Sequence, residues 1–431
     1  MDRAPDTPDD WSGEETNSAS PSVLTAFGPH PDRAAAIGEA HARPSMPVDP
    51  PSVLFHLAFG FENEPTVDAL HEAIFGEPQD GFARHVMRDM GPLTIKFERH
   101  TEFLSLTILS RDGADTGEAP LRRLRAKRVD GLSLLVALRA FVVKEAETLP
   151  GPQEVGGEMR GGILVTSSFR PGPDGYIDLH VAAGDTGGDQ LGRRLQRVLE
   201  AESYRTMALI GLPMARRAGG ELAKLEAELG EVTTKLTEGT GEDEEILDAI
   251  QSLSARTEAM RARTRFRFSA SRAYAALVDE RLDSLNESKI GERPTLTGFL
   301  RTRLNPAVRT ILSAEARQSE LSASVERALS LLRARIDVSL DQANQDILKS
   351  MNERQYRQLI LSEAVESLSV IAISYYLLGI LRYPVESLIE VGVVPVSQTI
   401  ALGILAPFVA VGVFATLRAL RNRWLPKEPK K

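Results

Sequence analysis

Histidine and carboxylate are the residue types in this chain best suited to moving protons or holding a metal. All seven histidines precede position 181: His30, His41, His56, His71, His85, His100 and His180. No two of them follow the H-x-x-x-H or H-x-H spacing that brings two imidazoles to one metal ion. A ligand site could still assemble in space from Glu39, His41, Arg43, Glu98 and His100, the last pair on a predicted hairpin. Ordinary structural hydrogen bonding by the same residues is the alternative. The segment GDTGGDQLG at 184 to 192 precedes a helix, where backbone N–H groups can meet phosphate, yet it carries Gln190 and Leu191 where a phosphate loop needs a cation and a hydroxyl. It is expected to be a loop between regions. No nucleophile, base and acid fall together in any string, and no cofactor or metal is expected.

A second group of chemistry-bearing residues lies in SEAVESLSVIAISYYLLGIL at 362 to 381, which is apolar enough for lipid but keeps Glu363, Glu366, Ser369 and Ser374. Its charge-free part, Leu368 to Leu381, covers only ~21 Å of a ~30 Å hydrocarbon core. A carboxylate at mid-bilayer costs ~2.5 to 3.5 kcal/mol, so these glutamates must lie near the surface or face protein. Helical spacing gathers Ser362, Glu366 and Ser369 on one stripe and Glu363, Ser367 and Ser374 on the next, opposite Val365, Leu368, Ile371, Ala372 and Tyr375. That polar sector fits helix packing in an assembly or an ion path. Glutamates at the cytoplasmic membrane edge, with serines satisfied by carbonyls of their own helix, are the alternative.

The composition bounds these possibilities. A chain of 431 residues, 42% hydrophobic and 26% charged, has enough apolar material for two or three packed domains. A net charge of -9 argues against nucleic acid as a partner, since phosphate binding needs gathered Lys and Arg. The absence of cysteine excludes thiolate catalysis and Cys-based metal sites. Basic clusters at Arg122 to Arg128 and at Arg261, Arg263, Arg265 and Arg267 could meet acidic lipid heads, but arginines two apart share no helix face.

The elements that must position these residues fall into successive regions. Residues 1–22 read as a disordered acidic tail with no signal peptide. Residues 23–185 read as a cytoplasmic α+β (mixed α/β) domain, with strands expected at Ser52–Phe59, Leu93–Arg99, Thr101–Leu109, Gly162–Phe169 and Gly175–Val181. Helices are expected at Val67–Phe75, Gly81–Met90 and Leu132–Val143. Residues 186–361 read as long coiled-coil helices: Leu222, Leu225, Leu229, Val232 and Leu236 form one seam, Ile246, Ile250, Leu253, Thr257 and Met260 another, with a polar turn between. A long helix, a rod on the order of 100 Å, is expected from Asn305-Pro306, with an apolar stripe from Leu321 through Val325, Leu329, Leu332, Ile336, Leu340 and Ala343 to Ile347. Residues 362–417 read as a two-span transmembrane helical hairpin, its second span, Val396–Leu417, free of charge over 22 residues. Residues 418–431 form a basic tail. Lys349, Arg354 and Arg357 before the first span and the basic residues after the second imply a multi-pass inner-membrane protein with both termini cytoplasmic. The expected partners are the lipid bilayer and further copies of the chain in a homo-oligomer, formed through the coils and the polar sector of the first span.

Five strings, EAHARP at 39 to 44, KFERHTEFLSLTI at 96 to 108, ESYRTMALIGLPMAR at 202 to 216, LLRARIDVSLDQANQDILKSMNERQ at 331 to 355 and ESLSVIAISYYLLG at 366 to 379, resemble a bacterial family of uncharacterised membrane-anchored proteins, a domain of unknown function. The resemblance covers nearly the whole chain after the acidic tail. It implies an inner-membrane anchor and no established activity. The first string departs from the family's NELHARP at Gly38 and Ala40. In architecture alone the chain is similar to CorA-type magnesium channels, but Leu381-Arg382-Tyr383-Pro384 stands where those carry Gly-Met-Asn. Magnesium selectivity of that kind does not carry over.

Overall fold

The computed structural model describes residues 30–31, 33, 37, 45–77, 84–149, 154–390, 392 and 395–424. Glu39, His41 and Arg43, the whole of the expected acidic tail (1–22) and residues 425–431 of the basic tail lie outside them. By internal contacts the chain divides into two compact units, Met1–Thr234 with Ala249–Glu326, and Lys235–Asp248 with Arg327–Lys431.

The first unit is built on a nine-stranded sheet ordered β2-β3-β4-β1-β5-β8-β7-β6-β9. Its strands are β1 (Ser52–Phe61), β2 (His85–Met90), β3 (Leu93–Arg99), β4 (Phe103–Ser110), β5 (Leu132–Val143), β6 (Val155–Met159), β7 (Ile163–Pro171), β8 (Ile177–Ala182) and β9 (Ser288–Lys289). Every pairing is antiparallel except β5 with β8. One core joins Phe55, Leu57, Ile95, Phe97, Leu104, Leu106 and Ile108 to Val67, Leu70 and Ile74 of α1 (Glu64–Phe75), with α2 (Ala114–Lys127) adding Leu121 and Leu124. A second core joins the alternate strand positions, among them Leu54, Leu138, Leu179 and Val181, to Leu195 and Leu199 of α3 (Gly188–Leu209) and to Val278 and Leu282 of α5 (Asp243–Leu285).

Two expected helices are strands. Leu132–Val143 is β5, an interior strand between β1 and β8. Its run LSLLVALRAFVV is so evenly apolar that both periods fit it, and pairing on both edges decides for the period of two that buries Val136, Leu138, Ala140 and Val142. The described part of Gly81–Met90 is the edge strand β2, paired to β3 from His85–Glu98 to Met90–Leu93.

After α3 come α4 (Gly211–Glu238), α5 and α6 (Leu296–Glu390). The two expected seams are buried, from Leu222 to Val232 on α4 and from Ile250 to Met260 on α5. Ion pairs Glu228–Arg256 and Glu221–Arg263 show that α4 and α5 run antiparallel, while Arg317 on α6 forks onto Glu226 at 2.6 and 3.0 Å. α6 does not begin at Asn305-Pro306. Its first turn is capped by Glu287, which accepts from Leu296 N at 2.6 Å and Thr297 N at 2.8 Å, and by Thr295 Oγ1, which accepts from Gly298 N at 3.0 Å. Burial of Leu296, Leu300, Leu304, Ala307 and Ile311 along one stripe carries the helix through the proline, which forfeits one backbone hydrogen bond.

In the second unit α6 also outruns expectation. Arg382, Glu386 and Glu390, which the sequence places in the loop between the two expected spans, are still helical, as is Pro384, and the connection to α7 (Gln398–Trp424) follows Glu390. Among the described residues two helices are long and apolar enough to cross a membrane, Leu296–Glu390 and Gln398–Leu420. Leu368, Ile371, Tyr375, Tyr376 and Phe408 stand exposed, Tyr375 at 75%.

Candidate functional site

On β3 the residues Thr94, Lys96 and Glu98 alternate with Ile95 and Phe97, and on β4 Phe103, Ser105 and Thr107 alternate with Leu104 and Leu106. Alternation of this kind ordinarily marks a sheet with one wet face. Here the polar face is covered. Lys96, Glu98 and His56 are only 3%, 5% and 4% exposed, because α3 lies over them. Strand register sets the row: Thr107 pairs with His56 on one side and Lys96 on the other, and Ser105 pairs with Glu98. Gly192, Gln196, Leu199, Glu200 and Ser203, one turn apart along α3, face this row across a cavity of about 30 Å³ that Met46, Val48, Leu54, Phe103, Tyr204 and His100 also line. Gly192 is required there: a Cβ would sit 1.9 Å from the carbonyl oxygen of Met46.

The imidazole of His56 is held at both nitrogens, Nδ1 at 2.9 Å from Thr107 Oγ1 and Nε2 at 2.9 Å from Ser203 Oγ. Burial pushes its pKa down to about 4, outweighing the opposing Glu98 carboxylate, so the ring is neutral at pH 7. Glu98 is the opposite case. Burial alone would raise it, but His85 and the Lys96 ammonium together bring it down to about 2. Lys96 Nζ lies 2.9 Å and His85 Nδ1 3.5 Å from Glu98 Oε1. The pair is a buried charge couple whose desolvation is compensated only while both partners stay. His100 stacks on Phe103 with centroids 4.1 Å apart, and its Nε2 is 3.4 Å from Ser105 Oγ. Across the cavity Gln196 Nε2 donates to Glu200 Oε1 at 2.7 Å, and Glu200 also pairs with Arg281 of α5.

Of the ligand residues expected from sequence, the structure thus brings Glu98 and His100 to one cavity, while Glu39, His41 and Arg43 lie outside the described residues. Lys96, His56 and Ser203 join the site without being among the residues expected to form it. Lys96 carries the signal of a polar residue at every second strand position, which resembles a solvated face until α3 is placed over it; His56, in an otherwise apolar strand, and Ser203, on α3 itself, carry no such signal. Ser203 and His56 have the spacing of a nucleophile and its base. Nδ1, however, meets Thr107 rather than a carboxylate, and the space suits one or two waters or a very small polar molecule. Among the described residues no group of three or more His, Asp or Glu could hold a metal ion.

Glu363, Glu366, Ser369 and Ser374 lie on α6 in the second unit. Ser367 donates to the carbonyl of Glu363 at 2.9 Å and Ser369 to that of Val365 at 2.7 Å. Those two hydroxyls are satisfied within their own helix. Ser374 is buried, as are Val409 and Val413 on α7.

A mixed α/β sheet domain with a small cavity lined by both polar and apolar side chains, continued by long helices that include two apolar segments, is the class of molecule these features define. The chain belongs to the family described as "Protein of unknown function (DUF3422)", whose family model matches residues 28–424. No curated protein and no solved structure matches it.

Proposed function

We propose that the chain is a bilayer-anchored, non-enzymatic sensor or scaffold of the bacterial inner membrane. The last part of α6 and α7 hold it in lipid, and the cavity under α3 takes up water or a small polar ligand. The observation that carries the reading is the exposure of large side chains along both apolar helices: Leu368, Ile371 and Tyr375 on one, Ile404, Phe408 and Val411 on the other. An exposed apolar surface of this extent is stable in hydrocarbon and a liability in water. Both termini are assigned to the cytoplasm, because Lys349, Arg354 and Arg357 precede the first segment and Arg418 and Arg421 follow the second, whereas Arg382 is balanced by Glu386 and Glu390 between them. In this reading α4 and α5 form an antiparallel coiled coil.

The lack of a carboxylate behind His56 and the tightness of the cavity support a binding role over catalysis. A CorA-type cation path receives less support, since Ser367 and Ser369 spend their hydroxyls on their own helix. The test is alkaline carbonate washing of membranes from cells making the full chain. The protein is expected to stay in the pellet and to be released by detergent, and a variant ending at Leu361 is expected in the supernatant. Recovery of the intact chain in the carbonate supernatant would overturn the reading.

A further inference from the structure

Where the first turns of α3, the end of α5 and the turn between β6 and β7 meet, four arginines gather without a carboxylate among them. Arg194 Nη1 and Arg197 Nη1, one turn apart on α3, both donate to the carbonyl of Ser284, at 2.6 and 3.1 Å, and Asn286 Nδ2 stands 3.4 Å from the same oxygen. A carbonyl has two lone pairs, so three donors on one oxygen mark a local shortage of acceptors. The two guanidinium groups meet within about 6 Å of each other and repel. Arg160 belongs to the turn between β6 and β7, which Thr186, in the glycine-rich segment before α3, ties to the start of that helix by donating its Oγ1 to the carbonyl of Gly161 at 2.7 Å. Burial and the charges of Arg197, Arg160 and Arg193 all push the Arg194 pKa in one direction, downward. Among the described residues none of the four arginines makes an ion pair, whereas Arg267, Arg281 and Arg301 nearby in the same unit each hold a carboxylate.

Capping of α5 accounts for only part of this cluster. The end of a helix carries about half a negative charge, which a single cation answers. Four exceed it. Acidic residues outnumber Lys and Arg in this chain by 60 to 51, so the lack of carboxylates here is local. We propose that this corner binds a phosphate group, free, in a soluble ester or in a lipid headgroup, through the forks of Arg160, Arg193, Arg194 and Arg197. Phosphate brings a charge of about -1.5 to -2 and at least three acceptor oxygens, enough to engage several guanidinium groups at once. A carboxylate, with one charge and two oxygens, fills a single fork.

The full chain in a neutral detergent is to be titrated by calorimetry with inorganic phosphate, glycerol 3-phosphate and dioctanoyl phosphatidic acid. Saturable binding of at least one of them is expected. Arg160→Gln with Arg193→Gln, both exposed in the folded chain, should keep the fold and weaken that binding tenfold or more. Arg123→Gln with Arg125→Gln removes the same charge from α2 and should leave it unchanged. Phosphatidic acid held tenfold more tightly than glycerol 3-phosphate, and released by the Arg160 and Arg193 changes, assigns the phosphate to a lipid headgroup; comparable binding of the two assigns it to a soluble ester or the free ion. No binding of any probe, binding untouched by the Arg160 and Arg193 changes, or an equal loss in the α2 control overturns the proposal. Binding of a hexaglutamate peptide in place of all three probes would mark the corner as a contact for an acidic protein segment, and overturns it as well.

Discussion

In the first unit, Lys96 and Glu98 are shut away from water while apolar side chains pack around them; in the second, Ile371, Tyr375 and Phe408 stand outward and little is covered. The two regions invert the ordinary distribution of polarity in opposite senses. The sheet domain accepts the desolvation of a charge couple and answers it with an ionic partner 2.9 Å away and a ring of hydroxyls and imidazoles. The terminal helices leave hydrocarbon unanswered by protein, an arrangement that lipid would complete in the proposed reading. A buried charge and an exposed apolar face are both informative because each is costly unless something specific is present.

The contrast can be broken most severely at Lys96. Lys96→Met strands Glu98 as an uncompensated buried carboxylate and is expected to cost about 3 to 5 kcal/mol of stability, read as a lowered urea midpoint by circular dichroism of the full chain in detergent. Removing both charges, Lys96→Met with Glu98→Leu, should restore much of the loss. A single variant no worse than Lys127→Met at the surface would show that the couple is not shielded from water.

Acid should act in the same direction with a somewhat smaller effect. His56 is lowered in the folded chain from 6.5 to about 4, so between these values the unfolded chain takes up a proton that the folded chain refuses, and stability falls as pH drops. Glu98, lowered from 4.5 to about 2, adds a second loss in that more acidic window. About 3 kcal/mol is the upper scale for the first step. The expected outcome is a plateau above pH 6.5, a decline toward pH 4, and a flatter profile across that range in His56→Asn. A wild-type profile flat from pH 7 to 4 would contradict the burial of His56.

The smallest effect belongs to the other region. Ser369→Ala should change stability by less than about 0.5 kcal/mol and leave membrane retention unaltered, because its hydroxyl serves only the carbonyl of Val365. A marked change in oligomer mass by light scattering would instead assign Ser369 to helix packing in an assembly.

Much of this organisation was legible along the chain where the signal is local. The strands β1, β3, β4, β7 and β8 announce themselves by alternation, and the seams of α4 and α5 by their 3 and 4 spacing. β5 was not legible, since twelve nearly continuous apolar residues satisfy both periods and only the neighbours β1 and β8 choose between them. The start of α6 was hidden for a similar reason: Asn305-Pro306 is a good local start, but the cap at Leu296 comes from Glu287, nine residues upstream and beyond β9. Of the residues that line the cavity, the sequence singles out Glu98 and His100. The remainder depends on α3 crossing a sheet face about a hundred residues away in sequence, and no window of sequence contains that event.

Where Met46 passes Gly192, main chain lies on main chain with no room for even a methyl group between them. At that contact the chain has no side chain on the Gly192 side to swing aside. Widening the cavity between these two main chains would take a shift of backbone, a motion of nanoseconds to microseconds or slower rather than the picoseconds of an exposed rotamer flip. A guest that needed this widening would be admitted at the tempo of the polypeptide itself, and a bulkier residue at position 192 would wedge the door ajar.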